Sequence, residues 1–193
     1  MAEENADGAV PERWTASTVY TDTWLDPADD PRETGTELTD ERSVLVDYLR
    51  AHRLTMELKC ADLDAAQLAR RSVPPSTMSL LGLIRHMSDC ERGWVRQTFR
   101  GEQIPDLYYR ADAPDADFDE TDPARAEEDF EIYRAERRAV DAALEGASLD
   151  ETFTLGDKTM SVRWMWQHLV EEYARHNGHA DLLREAIDGS AGM

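Results

Sequence analysis

From residue 37 onward, apolar side chains recur at the three- and four-residue spacing that is typical of amphipathic α-helices. The first helix is predicted to begin at Thr39, because a threonine side chain can cap a helix and two acidic residues follow it in the first turn. A short helix over 64–70 is expected next, and the two prolines of segment 72–76 are expected to end it. The predicted buried stripe of the first helix consists of Leu45, Tyr48, Leu49, His52, Met56 and Leu63.

Three further long helices are predicted, each with a capping side chain at its start and a glycine at its end. They cover residues 79–101, 122–146 and 161–189. The acidic, proline-containing segment 102–121 is typical of a long loop. Segment 147–160 is expected to be a connection with room for a short extended piece.

Four long amphipathic helices with almost no strand signal predict an all-α protein, an up-and-down four-helix bundle over residues 37–189. Residues 1–36 show no sustained period and are predicted to form an irregular N-terminal arm, while residues 190–193 are a C-terminal tail. A fully disordered arm would have little use for large aromatic side chains. We therefore expect the arm to lie against the body through Trp14, Tyr20 and Trp24.

The charge of the chain narrows the choice of partners. Forty-one acidic against 21 basic residues give a formal charge of −20, which repels phosphate backbones and anionic lipid. No apolar run approaches the roughly 18 residues of a membrane-spanning helix, and residues 1–10 lack the basic start and apolar stretch of a secretory signal. Two cysteines, Cys60 and Cys90, are too few for a disulfide framework. We expect a cytoplasmic protein with reduced thiols, and no nucleic acid or membrane as partner.

Segment 171–180, EEYARHNGHA, places several polar residues where the fourth helix should bury a face. On a helical wheel of about 100° per residue, His176 falls inside the apolar arc and Glu172 lies about 60° from its centre. His168 and His179 fall further out, towards the rim. Glu172 and His176 are therefore predicted to point inwards.

An inward carboxylate and an inward imidazole one turn apart are costly unless they are paired, protonated or bound to a cation. Four-residue spacing also brings two side chains to one point, as in helices that present two ligands to one metal ion. A third ligand would have to come from another helix, and His86 on the second helix is the leading candidate. The alternative is a buried Glu172–His176 hydrogen bond that fixes helix register, and spacing alone leaves both interpretations open.

Several other residues can be interpreted either as part of a chemical site or as structural. Cys90, one turn after His86, is either a fourth ligand or a small buried side chain. Asp89 and Glu91 are candidates for an acid or a base near His86, although a solvated or paired charge is the ordinary state of both. The sequence lacks a glycine-rich phosphate loop, a serine nucleophile elbow and a CxxC pair. Three tryptophans at helical spacing are expected in the core or in a pocket wall: Trp94, Trp164 and Trp166.

The chain closely resembles the DinB-like four-helix metalloprotein superfamily, and most of all an actinobacterial branch of it. Two segments carry the resemblance: MSLLGLIRHMSDCERGWVR (78–96) and SVRWMWQHLVEEYARHNGHADLLREAIDG (161–189). The similarity runs from about residue 38 to residue 189 and does not cover the N-terminal arm. It implies the DinB type of four-helix bundle.

The resemblance also implies a set of metal ligands. In that superfamily a histidine on helix two and an (H/E)xxxH pair on helix four bind a divalent metal, commonly zinc or nickel. Carried over residue by residue, these ligands are His86, Glu172 and His176. Glu172 stands where many relatives have histidine, which is similar to the mycothiol-dependent maleylpyruvate isomerase of the same superfamily. His179 stands where a glutamine is common and is a candidate partner of the ligands.

The chemistry implied by the resemblance is that of a thiol S-transferase or isomerase. Several relatives use a low-molecular-weight thiol, mycothiol or bacillithiol, and a metal with open positions would convert a bound thiol into the attacking thiolate. We expect transfer of mycothiol to an electrophilic small molecule, in detoxification, with His168 or His179 as the catalytic residue that handles protons. Metal-assisted hydrolysis and a non-catalytic metal-binding stress protein are the alternatives. Either a monomer or a homodimer is compatible with the exposed helix faces.

Overall fold

The computed structural model describes residue 25 and residues 30–191, and this part of the chain is mostly helical. The predicted all-α class is confirmed in that coarse sense, although a two-stranded sheet is also present. The up-and-down four-helix arrangement stays a prediction, and the predicted contacts of Trp14, Tyr20 and Trp24 lie outside the described residues. In chain order the elements are α1 (Glu41–Cys60), α2 (Ala65–Leu68), α3 (Leu80–Glu91), α4 (Ala116–Asp119), α5 (Ala126–Leu144), β1 (Thr152–Leu155), β2 (Lys158–Ser161) and α6 (Val162–Asp188).

The cap of helix α1 lies one residue later than predicted. Its cap is Asp40 and not Thr39, because the Asp40 carboxylate accepts the backbone N–H of Ser43 at 3.0 Å. The Ser43 hydroxyl in turn accepts the backbone N–H of Asp40 at 3.4 Å, which completes a capping box. A capping box satisfies two backbone N–H donors at once. Thr39 has no such partner, because the residue three positions after it is Arg42.

The buried face of α1 carries charge as well as apolar side chains. Leu45, Leu49 and Met56 are buried as predicted, but Tyr48 is 54% exposed, so its predicted place in the stripe is wrong. Arg53 takes a place on the buried face and is only 4% exposed. An apolar periodicity cannot anticipate this, because the arginine is stabilised by carboxylates from other helices.

Helix α3 continues directly into a π-helical segment, Arg92–Phe99. Ser79 caps α3 as predicted, since its hydroxyl accepts the backbone N–H of Gly82 at 3.0 Å. The segment ends at Phe99, two residues before the predicted stop at Gly101. The π-helical turns are wider than α-helical ones and are found frequently at functional sites.

The connection between α3 and α5, predicted as a long loop, contains the short helix α4. The Asp89 carboxylate holds the middle of this connection by accepting three consecutive backbone N–H groups, of residues 107–109, at 2.7, 2.9 and 3.0 Å. The predicted Asp122 cap is confirmed, and it opens a 3₁₀ turn, Pro123–Arg125, that leads into α5. The predicted loop is therefore a tethered segment with a short helix of its own.

A β-hairpin replaces most of the predicted connection before the last helix. Strands β1 and β2 pair antiparallel from Thr152–Ser161 to Leu155–Lys158, and Gly156 at φ 61° provides the left-handed residue that the two-residue turn requires. Phe153 on β1 is buried against Phe99, with ring centroids 5.7 Å apart. The hairpin thus joins the π-helical end of α3 to the start of α6, whose cap, Ser161, is the last residue of β2.

Helix α3 contacts every other long helix, and α1 packs along α6. The apolar core lies between these helices and includes Leu49, Leu83, Ile84, Met87 and Met165, all with an exposed fraction of 1% or less. Among the described residues, none of the helices combines the length and the apolar character that are needed to cross a bilayer.

Four buried polar side chains, Arg53, Glu91, Tyr133 and Tyr173, link the long helices and are called the charged network below. The Arg53 guanidinium donates to both carboxylate oxygens of Glu91, at 2.8 and 2.5 Å, and to Asp141 at 2.6 Å. The Tyr173 hydroxyl lies 2.5 Å from Glu91 and 3.0 Å from the Tyr133 hydroxyl. Glu91, Tyr133 and Tyr173 are 0% exposed. The charges tolerate burial because each has a hydrogen-bonded partner.

Candidate metal centre

His86 lies on α3 and is held from one side by a carboxylate. Its Nδ1 lies 2.7 Å from Oδ2 of Asp117, a buried residue of α4. Its Nε2 lies 3.3 Å from Sγ of Cys90, one turn further along α3. Because the carboxylate keeps a proton on Nδ1, the ring is oriented with Nε2 towards the thiol.

The approach of α4 that places Asp117 depends on a glycine of α3. A Cβ atom at Gly82 would meet the Phe118 ring at 2.9 Å and the Phe118 backbone at 3.3 Å, so a larger residue would push α4 away. Phe118 stacks on the His86 ring, with centroids 5.0 Å apart and planes at 27°. Arg85 fixes the same turn by donating to two backbone carbonyls of α4 at 2.8 and 2.9 Å.

Glu172 and His176 lie one turn apart on α6 and face His86. His176 is 8% exposed, which confirms the prediction that it points inwards. Its Nε2 lies 3.5 Å from Oε2 of Glu172, and its ring centroid lies 4.6 Å from that of His86. The Glu172 side chain is 20% exposed. The three residues that the sequence singled out as metal ligands are therefore brought together.

Cys90 belongs to the same group. One ligand atom each from His86, Cys90 and Glu172 lie within 4.8 Å of one another. His176 is joined to this set through its contacts with Glu172 and with the His86 ring. We call these four side chains the donor cluster. Their binding of a metal ion stays a prediction.

The chemistry of the donor cluster fits a metal of the zinc type. Imidazole nitrogen, carboxylate oxygen and thiolate sulfur are the ligands that zinc takes in proteins, whereas magnesium and calcium take oxygen ligands. Sites with nitrogen and sulfur donors also suit cobalt and nickel. The residues present are therefore suited to a divalent transition metal.

Burial and hydrogen bonding separate the pKa values of the two histidines. Burial, together with the nearby His86 and His179, lowers the pKa of His176 to about 4. Burial acts in the same direction on His86, but its hydrogen bonds to Asp117 and Cys90 outweigh burial and raise the pKa to about 10. His176 is thus neutral at neutral pH with a lone pair available, while a cation binding at His86 must displace a proton.

The two histidines predicted as catalytic flank the donor cluster. His168 lies between two tryptophans: its ring stacks on Trp164 at 4.8 Å and meets the edge of Trp94 at 4.4 Å. Its Nε2 is 3.6 Å from Oε1 of Glu172. His179 lies on the other side, with Nδ1 3.3 Å from Nδ1 of His176. Both positions are next to predicted ligands, and their catalytic roles stay predictions.

The remaining candidates have structural roles. Asp89 anchors the connection after α3, and Glu91 belongs to the charged network, so neither faces the donor cluster as a free acid or base. Trp94 and Trp164 contact the His168 ring, and their place in a pocket wall stays a prediction. Trp166 is 5% exposed and packs in the core.

Asp117 is the site residue that sequence reasoning missed. It lies in the acidic stretch DADFDE of a segment without helical period, and any one of its carboxylates could have faced solvent. Only the contact between α3 and α4 distinguishes Asp117 from its neighbours. One feature of the sequence could have indicated Asp117: an acidic stretch in a connection that is long enough to reach the second helix.

Comparison with known families gives a match over most of the chain. The model of the family described as Mycothiol-S-transferase matches residues 44–189, which is most of the chain and contains every member of the donor cluster. The comparison with curated proteins gives no match.

Proposed function

Because the chain belongs to the mycothiol S-transferase family, we propose that it joins mycothiol, through its sulfur, to an electrophilic small molecule, with a divalent metal ion held by His86, Glu172 and His176. The observation that supports the proposal is the meeting of these side chains, from two helices, at one place. If Glu172 and His176 formed only a structural pair, no third donor from α3 would be required beside them. His86 nevertheless lies there, with its imidazole oriented by Asp117.

Each residue around the ion has a distinct task. Asp117 keeps the proton of His86 on Nδ1 and so directs Nε2 at the donor cluster. Glu172 provides negative charge, and His176 provides a lone pair because its pKa of about 4 leaves it neutral. A divalent ion bound there would supply the positive charge that lowers the pKa of a thiol towards neutrality.

His168 and His179 are the candidates for proton handling. His168 is kept in place by the two tryptophan rings and lies within 3.6 Å of Glu172. His179 contacts His176 from the opposite side. We propose that one of the two accepts the proton that the substrate thiol loses, because both are partly exposed and border the ligands.

The finer features complete the proposal. The long helices would form the up-and-down four-helix bundle of DinB type over residues 37–189, with an arm over 1–36 and a tail over 190–193. Zinc would be the native ion, since the donors include imidazole and a nearby thiol. Detoxification in the cytoplasm would be the setting of the reaction.

Metal content and thiol conjugation test the proposal together. We would express His176→Ala beside a matched variant of its exposed neighbour, Arg175→Ala, in metal-replete medium. The wild-type protein and Arg175→Ala should contain close to one metal ion per chain and conjugate mycothiol to a bimane electrophile. His176→Ala should lose both the metal and the conjugation while its helical circular dichroism is retained.

Two outcomes would contradict the proposal. Less than about 0.1 metal ion per chain in the wild-type protein would remove the metal site. A metal-loaded protein that forms no more mycothiol adduct than its metal-free form would leave the site in place but remove the transferase activity, in favour of hydrolysis or metal storage.

A further inference from the structure

Cys90 lies in the donor cluster although the ligand set implied by the resemblance does not include it. We propose that Cys90 is a fourth protein ligand of the metal ion, a role that rests on the proposed function of the same site, in which the substrate thiol would then take a fifth position. The Cys90 sulfur would bind as a thiolate and release its proton to solvent. The competing interpretation is a thiol that only hydrogen-bonds to the imidazole of His86.

The distances within the donor cluster suit coordination, because His86, Cys90 and Glu172 each bring a ligand atom within 4.8 Å of the other two. Zinc bonds of about 2.0–2.1 Å to nitrogen or oxygen and about 2.3 Å to sulfur keep two tetrahedral ligand atoms about 3.4–3.6 Å apart. Sγ of Cys90 lies 3.3 Å from Nε2 of His86, and Oε2 of Glu172 lies 3.5 Å from Nε2 of His176. Both pairs lie within about 0.3 Å of the separations that shared binding of one ion requires.

A helix supplies the first of these pairs, just as α6 supplies the second. His86 and Cys90 are four residues apart on α3, and Glu172 and His176 are four apart on α6. Residues at this spacing project onto the same patch of the helix surface. The thiol is held at the site by the same backbone geometry that holds the proposed ligands.

The second cysteine of the chain shows what an ordinary buried thiol looks like here. Cys60 is 5% exposed, lies in the apolar core, and burial raises its pKa to about 12. Cys90 packs against the edge of that core, is partly buried, and also faces an imidazole nitrogen and a carboxylate. The two thiols therefore differ in surroundings, and Cys60 provides a matched control.

A thiolate ligand would change which metals the site accepts. Sulfur is a soft donor that favours zinc and cobalt, whereas manganese and magnesium favour oxygen ligands. A site of two imidazoles and one carboxylate discriminates less strongly between zinc and manganese. The preference for zinc should therefore depend on Cys90.

Cobalt(II) loading of the full-length protein tests the proposal, because a thiolate–cobalt bond gives an intense near-ultraviolet charge-transfer band that nitrogen and oxygen ligands do not give. The wild-type protein and Cys60→Ala should show this band, and Cys90→Ser should lose it while keeping the visible bands of bound cobalt. Zinc affinity of Cys90→Ser should fall by about 10-fold or more, since even an indirect partner of a ligand is worth about 10–100-fold. Zinc should also protect Cys90 of the wild-type protein from alkylation, a readout that needs no variant.

The outcomes separate this proposal from the proposed function. Visible cobalt bands without a charge-transfer band, and alkylation of Cys90 at the same rate with and without zinc, would show that Cys90 is not a ligand and leave the metal site intact. Failure of the wild-type protein to bind cobalt or zinc at all would overturn the metal site itself, and the role of Cys90 with it.

Discussion

The charged network and the donor cluster are both groups of ionisable side chains between α3 and α6, but their charges are balanced in different ways. In the charged network, Glu91 receives two hydrogen bonds from Arg53 and one from Tyr173, and it is 0% exposed. In the donor cluster, Glu172 is partly exposed and, within the described part of the chain, pairs with His168 and His176 and with no lysine or arginine.

The difference lies in which charge balances the carboxylate. A buried carboxylate is stable when a cation and hydrogen-bond donors surround it, and the network brings its own cation, Arg53. The donor cluster brings together imidazoles, a thiol and a carboxylate, all of which can offer lone pairs to one point. The counter-charge of the network is a permanent guanidinium, so the network is structural. The positive charge of the donor cluster is a proton on His86, which a metal cation can replace.

The largest expected effect is the loss of the network carboxylate. Glu91→Gln leaves the Arg53 guanidinium buried without its main counter-charge, since its other partner, Asp141, has a side chain that is 60% exposed. Breaking a buried ion pair from one side costs about 3–5 kcal/mol. We expect a loss of this size in the free energy of unfolding, measured by urea denaturation.

The matched control makes the same chemical change at an exposed ion pair. Glu128 pairs with Arg125 on the surface, with side chains 58% and 50% exposed, so Glu128→Gln should lower the free energy of unfolding much less than Glu91→Gln does. If Glu91→Gln costs no more than this control, the network does not stabilise the fold and the contrast with the donor cluster disappears.

The second effect concerns the residue that orients His86. Asp117→Asn removes the negative charge that accepts the Nδ1 proton, while it keeps the shape of the side chain. Loss of such a partner lowers metal affinity by about 10–100-fold, or about 1.4–2.8 kcal/mol. Competition with a chromophoric chelator would measure the zinc affinity of the folded variant.

Asp119 provides the control on the same short helix. Its side chain is 54% exposed and pairs with Arg71, away from His86. Asp119→Asn should leave zinc affinity unchanged. Equal affinity in Asp117→Asn and Asp119→Asn would mean that the hydrogen bond to His86 does not support metal binding.

The contrast between Glu172 and Asp117 also explains how far the sequence predicts the site. Glu172 and His176 are predictable because helical period is local: four residues suffice to place both on the buried face of α6. Asp117 is not, since its role arises from the packing of an aperiodic segment against α3, where Gly82 allows the approach. Long helices and most of their caps are predictable for the same local reason, although the cap of α1 is Asp40 and not Thr39.

Local periodicity does not predict the burial of residues whose surroundings come from distant segments. Tyr48 fits the period of α1 yet faces solvent, and Arg53 breaks the period yet is buried, because Glu91 of α3 compensates its charge. Cys90 is at ligand spacing from His86 in the sequence, but spacing alone does not separate a ligand from a core thiol such as Cys60. Tertiary contacts decide these cases.

The smallest expected effect is a pH dependence that belongs to the donor cluster. In the metal-free protein the pKa of His176 is lowered to about 4 from its ordinary value of 6.5, so between these values the unfolded chain binds a proton that the folded protein does not. Stability contributed by neutral His176 is therefore present above pH 6.5 and is lost as the pH falls towards 4. One such proton changes the free energy of unfolding by at most about 1.4 kcal/mol per pH unit.

Urea denaturation of metal-free wild-type protein and of His176→Gln at pH 6.5 and 5.5 isolates this proton. Carboxylates titrate in both proteins and cancel, so the wild-type protein should lose about 1 kcal/mol more than the variant over this step. His86 acts in the opposite direction and at higher pH, because its raised pKa, about 10, stabilises the fold below 6.5 and loses that contribution as the pH rises. Equal losses in the two proteins would mean that His176 is not buried as a neutral base, and the donor cluster would then have no neutral imidazole on α6 to distinguish it from the charged network.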